Sequence, residues 1–144
     1  MKQPDFLAKI SLGTSINLLW LFLLLTMGCD HVNRSDAEEV AAAAGLNYPK
    51  LVALAEEGNT QALKTLMDFS KLTDGGSAYD HAITLFRVCM KCGDKVTSDL
   101  IPMLDQDAKA RVSELLEGGF KESQLTKKAT FEETLPQTSK LLKQ

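Results

Sequence analysis

The chain has 144 residues, a length that suits one domain at most. Charged residues make up 24% of it and the formal net charge is -3, which excludes both a strongly basic nucleic-acid binder and a disordered acidic tail. Three cysteines are too few for a disulfide scaffold, so a hydrophobic core must do the folding, and 6% aromatics with abundant Ala and Leu favour helices over sheets.

The first segment opens with Lys2 and Lys9 around Asp5, followed by an apolar stretch from Ile10 to Met27. Its dense part, "LLWLFLLLTM", is about ten residues, short of the roughly 20 that a spanning helix needs. A charged start, a short apolar run and small residues near its end read as an export signal. The alternative is an uncleaved membrane helix from Ile10 to Cys29.

"TMGC", Thr26 to Cys29, resembles the lipobox of bacterial lipoproteins. In that family a peptidase cuts before the cysteine once its thiol carries a diacylglyceryl group, and Gly28 is the small residue that the peptidase admits. The resemblance implies lipidation at Cys29 and mooring to a membrane outside the cytoplasm. Each buried methylene contributes about 0.8 kcal/mol, so two or three acyl chains anchor stably. Asp30 resembles the signal by which enteric lipoproteins stay at the inner membrane, facing the periplasm. Cleavage removes Lys2 and Lys9 but only one carboxylate, Asp5, leaving a more acidic chain suited to basic partners.

After the polar tether "DHVNRS", helix signals follow in quick succession. Ser35 with Glu38 forms a capping box ahead of "AEEVAAAAG", and Gly45 suits its end. Asn47 caps the next helix, with Pro49 in the first turn, and that helix stops at Gly58. Asn59 caps a third, about 60–71, with Ala62, Leu63, Leu66 and Met67 on one face. "LTDGGS" reads as a loop. Ser77 with Asp80 is expected to cap a fourth helix with the stripe Ala82, Leu85, Phe86 and Cys89, stopped by Gly93. Asp94 is expected to cap a fifth, with Val96, Leu100, Ile101 and Leu104, broken near Pro102. Asp105 starts a sixth, with Ala108, Val112, Leu115 and Leu116 inward, expected to end at Gly118-Gly119. "TFEET" offers one short helical turn, and "QTSKLLKQ" is expected to fray.

The fold class read from this is all-α: stacked short helix pairs behind an N-terminal signal segment. The expected boundaries are a signal peptide at 1–28, a lipidated tether at 29–35, a helical domain at 36–126 and a weakly structured tail at 127–144. The stretches "NYPKLVALAEEGNTQALKTLM" and "GGSAYDHAITLFRVCMKCGDKVTSDL" resemble two ankyrin units, each an inner helix, a Gly-Asn or Gly-Asp turn and an outer helix. The distances from Gly58 to Gly93 and from Tyr48 to Tyr79 bracket the roughly 33-residue ankyrin period. Another helical-repeat arrangement accounts for the same pattern.

"CMKCG" places Cys89 and Cys92 as a candidate disulfide or thiol pair. Haem attachment fails because Gly93 stands where His is needed. Structural zinc needs four ligands, and His81 with two cysteines supplies three. A redox thiol belongs at a helix N-terminus, whereas this pair falls at a C-terminal end. Two cysteines packed on or beside the core is the simplest reading. Of the two histidines, His31 and His81, the latter is expected to bond a neighbouring turn. Glu56-Glu57 and Glu132-Glu133 read as solvated faces, and Lys127-Lys128 is too small a basic patch for nucleic acid. No motif of nucleophilic, phosphate-binding or metalloprotease chemistry is present, so neither an enzyme nor a cofactor or metal site is expected. The expected role is a protein-binding module in a bacterial envelope, held to the membrane by its N-terminal lipid, with an immunity protein against a periplasm-delivered toxin as its concrete form. No small-molecule substrate is evident. The alternatives are a thiol redox or metal-binding protein using Cys89 and Cys92, and a structural envelope lipoprotein.

Overall fold

The computed structural model describes residues 34–123 and 129–144. The signal segment and Cys29 lie outside them. All regular structure among the described residues is helical: eight α-helices and two 3-10 turns. Helices α1 (Asp36–Ala43), α2 (Tyr48–Glu56) and α3 (Thr60–Phe69) come first, followed by a 3-10 turn (Ser70–Leu72). The long α4 (Gly75–Cys92), α5 (Asp94–Leu100), a 3-10 turn (Ile101–Met103) and the long α6 (Gln106–Glu122) follow, then α7 (Phe131–Thr134) and α8 (Pro136–Leu142).

Local chemistry sets most of the starts. Ser35, Asn47, Asn59 and Asp105 each accept a backbone N–H from the first turn of the helix they precede. Thr130 and Glu133 cap α7 reciprocally, Glu133 Oε2 accepting from the Thr130 amide at 2.8 Å. Gly58 and Gly93 end α2 and α4 with positive φ, 92° and 90°, but the turns differ: Asn59 caps the helix after Gly58, whereas Gly93 directly precedes the first residue of α5. The helices they join differ too: 9 and 10 residues around Gly58, 18 and 7 around Gly93.

Several expectations are corrected. Helix α4 starts at Gly75, not after Ser77. Asp74 is its N-cap, and the Ser77 hydroxyl reaches back, accepting the Asp74 amide at 3.0 Å and donating to the Asp74 carbonyl at 2.7 Å. Asp80 bonds across to α1 instead, accepting the Asp36 amide at 3.1 Å. The third helix ends at Phe69, its last turn tightening into the 3-10 geometry of Ser70–Leu72. Asp94 is the first residue of α5 rather than its cap, and its carboxylate accepts the backbone N–H groups of Gln137 (2.7 Å) and Thr138 (2.9 Å) at the start of α8. Burial raises the Asp94 carboxyl, but these hydrogen bonds outweigh it and hold it below the usual carboxylate range. The segment expected to fray is therefore a docked helix with Thr138 and Ser139 buried, and the folded domain extends beyond residue 126.

Helix α6 runs straight through Gly118-Gly119, with Ala108, Val112, Leu115 and Leu116 all buried as expected. Among the described elements its packing against α4 is the most extensive. Leu63, Leu66 and Met67 of α3, Leu85 and Val88 of α4 and Leu116 of α6 are fully enclosed. Each large apolar side chain so buried contributes roughly 1.5–3 kcal/mol, which outweighs the weak nucleation of such short helices. Helices α7 and α8 close the C-terminal side through Phe131 and Leu135, both buried.

Candidate protein-binding groove

Helix α4 turns one face to the core and leaves part of another uncovered. Tyr79, Ile83, Phe86 and Met90 follow i, i+4, i+7, i+11 spacing, so they form one stripe. Phe86 is buried, but Tyr79 is 52% exposed, Ile83 39% and Met90 38%. These are three of the five large hydrophobic residues that are exposed among the described ones. The stripe faces α6 near Gly119, where the absence of a side chain lets the two helices come close.

Two adjoining depressions result, both lined by Glu122. One, about 350 Å³, is floored by Ala78, Ala82 and Gly118 and rimmed by Tyr79, Glu114, Glu117 and Lys121. The other, about 280 Å³, is mainly apolar and is lined by Ile83, Phe86, Met90 and Gly119. Three carboxylates stand against one lysine on the α6 rim. Arg87 of α4 is drawn instead toward Glu56 of α2, 3.3 Å away, which also holds Lys91 at 2.9 Å. Tyr79 donates its hydroxyl hydrogen to Glu122 Oε2 at 3.1 Å, and this bond raises the Tyr79 pKa. The groove therefore combines apolar anchors with a rim of mixed charge, since Glu114 is paired with Arg111 and Arg87 also lines the second depression.

The residues singled out by motif lie elsewhere. Cys89 and Cys92 occupy the last turn of α4 as free thiols. Cys89 is fully buried, and burial pushes its thiol up to about 12. Cys92 is half-buried and donates to the Ala55 carbonyl at 3.2 Å; burial and then the nearby Glu56 raise it as well. A thiolate is disfavoured at both positions, the reverse of what redox nucleophiles need. In native protein, iodoacetamide is expected to leave Cys89 unmodified for hours and to modify Cys92 slowly, with both reacting fully in denaturant. Mass spectrometry of the peptides checks this, and rapid native labelling of Cys89 would contradict the burial.

Among the described residues no group of three or more His, Cys, Asp or Glu side chains could hold a metal ion. No described helix is long and apolar enough to cross a membrane. Glu56 and Glu132 are tied into ion pairs, Glu132 with Lys143 at 2.7 Å, and Glu133 serves the α7 cap. Cys29, His31 and Lys127-Lys128 lie outside the described residues.

His81 is fully enclosed between α2, α3 and α4. Tyr48 Oη lies 2.7 Å from Nδ1, while Nε2 faces both the Leu66 carbonyl and Ser70 Oγ at 3.1 Å. A carbonyl only accepts, so the neutral ring carries its hydrogen on Nε2 and Nδ1 accepts the tyrosine hydroxyl. The expectation of a bond to a neighbouring turn captures Ser70 but neither the Leu66 carbonyl of α3 nor the long-range bond to Tyr48. The exposed stripe also escaped the sequence reading. Its signal was the apolar run at 79, 83 and 90, outside the core stripe on the same helix. No family model, curated protein or solved structure matches this chain.

Proposed function

We propose that this chain is a lipid-anchored, protein-binding helical module of a bacterial envelope. Cys29 of the "TMGC" segment carries the lipid, Asp30 favours the inner membrane, and the helical domain faces the periplasm. The groove between α4 and α6 receives a partner protein that offers apolar side chains. The observation that supports this best is the solvent-facing line of Tyr79, Ile83 and Met90 beside the two depressions at the α4–α6 seam. A rigid helical surface loses little entropy on binding, and apolar anchors set within a charged rim are the usual seat of interface energy. The concrete form of this role is an immunity protein that caps a toxin reaching the periplasm. A structural envelope lipoprotein would have no use for such a groove.

The test combines anchoring and groove. Labelled palmitate is expected in the wild-type chain and not in the Cys29→Ser variant. A protein recovered stoichiometrically from solubilised membranes with wild type is expected to fall at least about tenfold with Ile83→Glu/Met90→Glu, the loss of about 1.4 kcal/mol or more from the central anchors. The circular dichroism of that variant should match wild type, since both positions are exposed. Equal recovery by the two proteins contradicts the groove, and an unlabelled wild-type chain contradicts the anchor.

A further inference from the structure

We propose that α1 is a releasable latch on the tether: it leaves α4 and unravels as a unit while the fold from Tyr48 onward stays intact. Its hold on the domain is slight. Ala37 and Ala41 are the side chains it buries, with Val40 only partly covered, whereas α3 buries Leu63, Leu66, Met67 and Phe69. Among the described residues no ion pair reaches α1, and one hydrogen bond joins it to another helix, from the Asp36 amide to Asp80. Depressions of about 350, 460 and 510 Å³ undercut its flanks. Asp36 and Glu39 share the first of these with Asp74 at the start of α4, where like charges oppose the contact.

The break point is built in. Gly45 turns the chain at φ 75°, and the amides of Gly45 and Leu46 bond back to Ala42 and Ala41, so this turn comes apart with α1. Beyond it the chain is held. Asn47 caps α2, Tyr48 is buried with its hydroxyl 2.7 Å from His81, and Glu56 pairs with Arg87 and Lys91. A free helix of eight residues is too short to persist in water, so α1 off the domain becomes coil. Its amides then open in one step, and the scarcity of buried contacts places that step well below global unfolding. The consequence for reach rests on the lipid anchor proposed above. Each opening adds residues 36–46 to the tether, up to about 37 Å of extended chain. The groove-bearing domain then extends farther from the membrane while staying folded.

Amide hydrogen exchange of the full-length protein is the test. The amides of residues 40–44 are expected to share one protection level, below that of α2 and at least about a hundredfold below the best-protected amides of α4 and α6. Asp80→Ala removes the acceptor of the Asp36 amide and should lower that level about fivefold, with α6 unchanged. A lock supplies the converse. A Cβ at Gly76 would lie 3.8 Å from Asp36 Cβ, the spacing of a disulfide. Oxidised Asp36→Cys/Gly76→Cys should therefore raise α1 protection at least about tenfold, and dithiothreitol should reverse it. Four results overturn the proposal: α1 protection equal to that of α4, a graded rise from residue 40 to 44, loss in α2 in step with α1, or no response to the lock. A chain that opens as expected but takes up no palmitate keeps the latch and contradicts only the anchor, and with it the added reach.

Discussion

Replacing Gly119 with alanine is expected to destabilise the domain by roughly 3 kcal/mol or more, a shift of roughly 10–20 °C in melting temperature. The added Cβ would lie 2.3 Å from the Ala82 carbonyl oxygen and 2.6 Å from Phe86 Cβ. Neither obstacle is the flexible end of a side chain. One is backbone in the middle of α4 and the other is fixed to it, so relief requires separating α4 from α6 along their shared interface. Total stabilities of such domains are about 5–15 kcal/mol, so the loss is a large fraction. The neighbouring glycine supplies the control. A Cβ at Gly118 would meet Ala82 Cβ at 3.8 Å, an ordinary contact. Gly118→Ala should therefore stabilise by about 0.5–1 kcal/mol, because a glycine inside a helix costs conformational entropy. Thermal melts of the two variants check the pair, and similar effects in both would contradict the close approach at position 119.

Phe120→Ala is expected to cost roughly 3–5 kcal/mol. Its ring packs edge-on against Phe86 at 5.9 Å and tilted against Phe131 at 6.0 Å, linking α4 through α6 to α7. Such pairs add about 0.5–1.5 kcal/mol to the effect of burial alone. Truncation leaves a hole between two helical layers and removes the contact on which α7 sits. Urea titration should show the loss, with early exchange of α7 and α8 amides. A change below about 1 kcal/mol would contradict the role of Phe120 as the link between α4 and α7.

The elements that were readable in the sequence are those whose causes are local. Ser35, Asn47, Asn59 and Asp105 each cap the helix they precede, because the donors they satisfy are three residues away. The all-α class and the inward stripes of α3, α4 and α6 follow from periodicity alone. What escaped depends on distant segments. Gly118-Gly119 has the composition of a helix stop, yet here the absent side chain of Gly119 admits α4, a use that local sequence does not distinguish. Asp94 follows a glycine as a cap would, but its carboxylate serves α8, far along the chain. The tail looked unstructured because its own apolar content is small, and it is held by that carboxylate and by Phe120. His81 was legible as a buried, bonded histidine, while its partner Tyr48 was not. The groove was invisible for a related reason: which side of α4 stays uncovered depends on where α6 packs.

The most direct measurement places a photo-activatable residue at position 83 of the full-length chain in living cells, with position 64 on α3 as a second site. A single discrete cross-linked product from position 83, absent from position 64 and lost when Met90 is also changed to Glu, is the expected result. The same products from both positions, or none from position 83 while the chain is folded and lipidated, would contradict a partner seated between α4 and α6.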